Sequence, residues 1–158
     1  MLLGYRKPDG KGDDSSLRTP CSSPENAPEF LYHGSPVKLD RLEPQPARGV
    51  GSEHDMLTAV YATDVRNMAI AFSMAGVHDA QGHLSWRLEM EGDQPHIVYE
   101  AGRPRNGEVG FVYLLSPEGF VQVAPHQWVS YRPVTPLSCE AIRVDDYLGW
   151  AQCSRSCK

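Results

Sequence analysis

The sequence predicts an α+β domain whose strands are mostly antiparallel. Short apolar runs recur along the chain, and turn signals that contain Pro, Gly, Ser or Asp separate them at intervals of about 10 residues. One segment, residues 65–75, instead repeats its apolar side chains at helical spacing. Many short strands with one clear helix favour a mixed α+β architecture.

The first strand is predicted over residues 30–32, where aromatic and branched side chains lie between Pro28 and Gly34. A loop rich in Pro and Gly follows, in which Leu39 and Leu42 predict a short helical turn. The loop leads to a second predicted strand.

That second strand covers residues 59–63 and runs directly into the helix. Asp64 is the expected N-cap, and Gly76 stands where the residue after a helix C-cap belongs. The predicted apolar face of the helix consists of Val65, Met68, Ala69, Phe72 and Ala75. The local order is therefore strand, loop, strand, helix.

The second half of the chain predicts further strands. Residues 84–90 alternate between apolar and polar, as in a half-buried strand. The remaining strands are predicted over residues 107–115, 120–123, 127–131 and 139–144, followed by one helical turn over 145–150. Because residues 116–119 form a strong turn signal, we expect residues 107–115 and 120–123 to pair as a hairpin.

Length and composition indicate one soluble domain. The 158 residues suffice for a single core, with 41% hydrophobic and 22% charged residues. We expect a flexible lead-in over residues 1–28, one domain over 29–150 and a flexible tail over 151–158.

Several classes of function are disfavoured by the same composition. A net charge of −5 argues against holding nucleic acid mainly through phosphate neutralisation. No apolar segment is long enough for a membrane span, and none resembles a signal peptide, so a cytoplasmic location is predicted. The four cysteines do not show zinc-site spacing, and no metal is expected.

A motif stands at the end of the first strand. The run Tyr32-His33-Gly34-Ser35 precedes the second strand with Tyr61, and Phe72 lies 11 positions after Tyr61. In sequence and order these motifs resemble the ADP-ribosyltransferase superfamily, in its diphtheria-toxin-like and poly(ADP-ribose)polymerase-like branch. The match covers roughly 45 residues. The family commonly has a small polar residue where this chain has Ala69.

The resemblance implies a split two-sheet fold with NAD, the co-substrate, in the cleft between the sheets. In that arrangement His33 would bond a ribose hydroxyl, and the backbone of Gly34 would clamp the nicotinamide carboxamide. Tyr61 would stack on the nicotinamide ring, with Phe72 on its other face. Ser35 and Ala62 belong to the same two motifs. Without that context, His33, Tyr61 and Phe72 would be interpreted as structural residues.

Two further positions complete the expected site. Arg48 lies in the loop that covers the adenosine half of NAD in the family, and its guanidinium suits a phosphate; a solvated loop arginine is the alternative. The family's late glutamate aligns with Gln127, which has no charge. Glu118 and Glu140 are alternative carboxylates.

The sequence thus predicts an NAD-dependent mono-ADP-ribosyltransferase, a glycosyltransferase, with the triad His33, Tyr61 and Gln127. The acceptor of ADP-ribose could be a protein, a nucleic acid or a small molecule. The alternatives are a catalytically inactive module that keeps the fold and binds NAD or a partner, and a scaffold that binds no nucleotide. Ala69 and Gln127 motivate the inactive module.

Overall fold

The computed structural model describes residues 27–46 and 57–154. Almost all of the expected lead-in, residues 1–28, lies outside these ranges, and so does Arg48. The predicted flexibility of the lead-in and the predicted phosphate contact of Arg48 therefore remain predictions.

The described residues form ten strands, one α-helix and one 3-10 helix. In chain order these are β1 (Leu31–Ser35), β2 (Gln45–Pro46), β3 (Thr58–Ala62), α1 (Arg66–Met74), β4 (Ser85–Glu91), β5 (Gln94–Ala101), β6 (Val109–Leu115), β7 (Val121–Ala124), β8 (Gln127–Ser130), β9 (Ser138–Arg143), the 3-10 helix (Val144–Trp150) and β10 (Ala151–Cys153). The α+β class is confirmed, and the helical turn expected over residues 145–150 is the 3-10 helix.

The strands form three sheets, in the orders β1-β6-β9, β10-β5-β4 and β2-β3-β8-β7. Every pair is antiparallel except β5 with β10. The resemblance implies two sheets, whereas the described strands are hydrogen-bonded into three. Tyr32 of β1 and Thr63 exchange backbone hydrogen bonds of 2.8 and 2.9 Å, which join the ends of the first and third sheets.

The predicted hairpin between residues 107–115 and 120–123 is wrong. Strand β6 pairs with β1 on one edge and with β9 on the other, so it has no free edge for β7. Strand β7 pairs with β8 instead. The turn exists, with the Phe120 amide donating to the Pro117 carbonyl over 3.1 Å, but it carries the chain from one sheet to another.

Strand β5 was not predicted, although it is eight residues long. Its start, Gln94-Pro95-His96, lacks the aromatic and branched side chains that mark a strand. Strand β10 then adds to β5 in parallel. The chain therefore continues in regular structure beyond residue 150, where a flexible tail was expected, because Ala151–Cys153 pairs with the β5 edge.

Helix α1 is buried along most of its length. Seven of its nine residues, Met68 to Met74, are buried, because the helix packs against β1, β6 and β9 and against β5. The predicted N-cap is wrong: Val65 is the N-cap residue and makes no side-chain capping bond. The Asp64 carboxylate instead accepts a hydrogen bond from His126. The helical turn predicted at Leu39 and Leu42 is also absent, since Leu42 forms a β-bridge with Val134.

The end of α1 depends on a tyrosine from β5. Ala75, the C-cap residue, has a φ of 47°, and its carbonyl accepts a 2.7 Å hydrogen bond from the buried Tyr99 hydroxyl. Burial raises the pKa of Tyr99 to about 12. Gly76 follows as predicted, and its surroundings are tight: an added Cβ would lie 3.0 Å from the Tyr99 ring and 3.3 Å from the Arg103 carbonyl oxygen.

We expect Tyr99→Phe to lower the free energy of unfolding by about 1–2 kcal/mol, because the Ala75 carbonyl loses this partner while remaining at a partly buried helix end. Urea denaturation followed by circular dichroism measures the change. Tyr131→Phe is the matched control, since Tyr131 is 58% exposed. An equal effect of the two substitutions would contradict this role for Tyr99.

Candidate functional site

A pocket lies where the ends of β1, β3 and β8 meet one face of α1. It contains about 370 Å³ of empty space, including its mouth, which is open to solvent. Nine residues line it: Tyr32, His33, Gly34, Tyr61, Ala62, Thr63, Met68, Phe72 and Gln127.

Most of the site residues selected from the sequence share this pocket. His33, Gly34, Tyr61, Ala62, Phe72 and Gln127 all line it, although they come from four separate elements. Ser35, the last residue of the motif, does not line it; Ser35 is buried, and its hydroxyl accepts a 3.2 Å hydrogen bond from the Val37 amide.

The His33 imidazole is held in one tautomer. Its Nδ1 lies 2.6 Å from the Tyr61 carbonyl oxygen, which can only accept, so Nδ1 carries the proton and donates it. Burial lowers the pKa of His33, against a smaller raising effect of this hydrogen bond. The ring is therefore neutral at pH 7, and Nε2 is left with an acceptor lone pair.

Tyr61 is fixed from its hydroxyl end. The oxygen accepts a 2.8 Å hydrogen bond from the Leu57 amide and donates to the Leu57 carbonyl over 3.1 Å. These bonds orient the phenol along its own strand, so that its ring forms part of the pocket wall. The link between His33 and Tyr61 runs through the Tyr61 backbone and not through its phenol.

Phe72 and Met68 belong to both the core and the pocket. Phe72 is 7% exposed, and its ring packs at a tilt against Trp86, with 6.1 Å between ring centroids. Both side chains also line the pocket from α1. The alternative roles of Phe72, core or site, are therefore compatible.

Gln127 supplies a polar side chain at the start of β8 and is only 9% exposed. Among the described residues, no Asp or Glu lines the pocket. Glu118 lies exposed in a loop, and Glu140 forms an ion pair with Arg66. Neither alternative carboxylate therefore belongs to the pocket wall.

Gly34 allows α1 to lie directly on β1. A Cβ added at Gly34 would stand 1.9 Å from the Ala69 carbonyl oxygen and 2.8 Å from the Ser73 amide nitrogen. Gly110 on neighbouring β6 is restricted in the same way, 2.2 Å from the Ser73 carbonyl oxygen. The close approach that requires Gly34 is thus made by the protein's own helix.

A histidine–aspartate pair that the sequence does not predict lies beside the pocket. His126 Nδ1 lies 2.7 Å from Asp64 Oδ1. Asp64 directly follows the lining residue Thr63, and His126 directly precedes the lining residue Gln127. The pairing of β3 with β8 brings them together, which a motif search within one segment cannot detect.

The comparisons with known proteins add no assignment: no family model, curated protein or solved structure matches this chain. Neither helix of the described residues is long and apolar enough to cross a membrane. Within the same residues, no group of three or more His, Cys, Asp or Glu side chains is arranged to hold a metal ion.

Proposed function

We propose that the protein is an NAD-dependent mono-ADP-ribosyltransferase that transfers ADP-ribose from NAD to an acceptor and releases nicotinamide. One observation carries this proposal. Six residues selected from the sequence for this chemistry come from β1, β3, α1 and β8 and line one pocket. These residues are far apart in the sequence and meet only in the folded chain.

The walls of the pocket suit a flat, cationic ring. Tyr61 and Phe72 present aromatic surface, and Met68 adds a polarisable thioether. A pyridinium gains both apolar contact and cation–π attraction from such surroundings. The nicotinamide end of NAD would lie against these side chains, and the adenosine half would extend through the open mouth of the pocket.

His33 would orient the ribose. Its Nε2 lone pair can accept a hydrogen bond from a sugar hydroxyl, and its Nδ1 bond to the Tyr61 carbonyl keeps the ring in place. Because burial lowers the pKa of His33, this acceptor stays available at neutral pH. A fixed ribose lowers the entropic part of the barrier to glycosidic cleavage.

In the reaction, the bond between the ribose anomeric carbon and the nicotinamide nitrogen breaks, and nicotinamide leaves with the electron pair. The sugar develops oxocarbenium character, which a carboxylate would stabilise. The Gln127 amide oxygen can bond a ribose hydroxyl but carries no charge. The absent charge costs about 2–4 kcal/mol of transition-state stabilisation, so single transfer or NAD hydrolysis fits this site better than chain elongation.

A catalytically inactive NAD-binding module is the second candidate. It is favoured by one observation: among the described residues, no carboxylate lines the pocket. Such a module would keep the aromatic walls that bind the nicotinamide ring and the His33 hydrogen bond to the ribose. It would lack the carboxylate that stabilises positive charge.

Two measurements test the proposal. Chromatography follows the release of free nicotinamide from NAD, and the shift in melting temperature on adding NAD reports binding. We expect slow release by the wild-type protein and release about 30- to 1000-fold faster by Gln127→Glu. Gln122→Glu, on the exposed part of β7, is the matched control for the added charge. A thermal shift without release from either protein would favour the inactive module, and no shift would oppose both candidates.

A further inference from the structure

The pair formed by Asp64 and His126 has the geometry of an oriented base. The carboxylate can only accept, so His126 Nδ1 donates the proton of the 2.7 Å bond. In the neutral imidazole, His126 Nε2 then carries the lone pair, as in the histidine of a nucleophile-activating triad. The His126 side chain is 48% exposed and that of Asp64 is 28% exposed, so the pair is accessible from solvent.

The backbone at His126 gives a second, independent observation. His126 has a φ of 59° in the turn between β7 and β8, a conformation that glycine adopts without strain. Pro125 precedes it, and a turn of this kind favours Gly or Asn at the second central position. At this φ, histidine stabilises the folded protein less than glycine would. Residues in such strained conformations cluster at functional sites.

Neither Asp64 nor His126 lines the pocket itself, but both lie directly beside it in the sequence and in the sheet. Asp64 and His126 each lie one residue from a lining residue, Thr63 and Gln127 respectively, at adjoining ends of β3 and β8. Gln127 itself cannot remove a proton, because an amide has no basic site at neutral pH. A transferase that acts on a protonated acceptor requires a base near the sugar.

We propose that His126 is the general base that activates the acceptor, and that Asp64 is its positioning residue. This inference rests on the proposed transferase function. As the ribose–nicotinamide bond breaks, an acceptor N–H or O–H attacks the anomeric carbon and forms the new bond. Its proton passes to His126 Nε2, while nicotinamide leaves as a neutral molecule. Acceptors that need deprotonation, such as alcohols, water or amides, are therefore the class that this site serves.

The experiment compares wild type with His126→Asn, because asparagine tolerates a positive φ but is not a base. We expect NAD affinity, measured by calorimetry, to stay within about twofold, and nicotinamide release to fall about 100-fold. Sodium azide, an anion with no proton to lose, should restore release by the variant and yield ADP-ribosyl azide in the mass spectrum. Asp64→Asn should show a smaller loss with the same rescue.

His96→Asn is the matched control. His96 also bonds a carboxylate, Glu91 at 3.3 Å, but it lies on β5, and neither of its neighbours in the sequence lines the pocket. This variant should release nicotinamide like wild type. If His126→Asn does not fold, His126→Gly replaces it, since glycine is favoured at this φ.

Each other outcome overturns the inference. If His126→Asn releases nicotinamide at the wild-type rate, His126 has only a structural role in the turn. Loss of release that azide does not restore would exclude a role in proton removal, and loss of NAD affinity would place His126 in binding instead. These results leave wild-type activity intact, whereas absence of release from the wild type would overturn the proposed function together with this inference.

Discussion

Replacing Gly34 with alanine is expected to lower the free energy of unfolding by about 3 kcal/mol or more. The added Cβ would lie 1.9 Å from the Ala69 carbonyl oxygen and 2.8 Å from the Ser73 amide nitrogen. Both are backbone atoms of α1, so no side chain can rotate away and the helix must move off β1. Guanidinium denaturation followed by circular dichroism measures the loss.

Gly149→Ala is the matched control for this substitution. No heavy atom would lie within 4 Å of a Cβ at Gly149, and its φ is not in the left-handed region. We expect the stability of this variant to stay within about 0.5 kcal/mol of wild type. A Gly34→Ala protein as stable as Gly149→Ala would mean that α1 does not pack on β1 as described.

Replacing His33 with alanine is expected to reduce nicotinamide release from NAD by about 100- to 1000-fold, on the scale of one electrostatic catalytic contact. The substitution removes the Nε2 acceptor and the Nδ1 bond to the Tyr61 carbonyl. Tyr61→Ala should give a loss of similar size, because it removes aromatic surface from the pocket wall. Release is measured by chromatography on protein whose circular dichroism matches wild type.

His83→Ala is the control, because His83 is exposed in the loop before β4 and its side chain does not line the pocket. It should release nicotinamide at the wild-type rate. If His33→Ala is folded and equally active, His33 has no role in orienting the ribose, and the transferase proposal loses its main polar contact.

Much of the candidate site could be predicted because its signals are local. A strand that ends in Tyr-His-Gly-Ser, a second strand with Tyr61 and a helix with Phe72 eleven positions later are patterns of a few residues each. Their secondary structure follows from side-chain periodicity, which is a property of the segment itself. The reason for Gly34 could not be predicted in the same way, because the atoms it accommodates belong to a helix 35 residues or more along the chain.

The sequence alone determined the α+β class, the strands β1, β3 and β8, the buried helix and the identity of most pocket residues. The tertiary structure decided which strands pair, why β7 joins β8 and not β6, and which partner Asp64 has. The physical reason is that pairing depends on which edges remain free after distant strands have packed. Only that pairing places His126 against Asp64, so the proposed base is a property of the fold and not of any single segment.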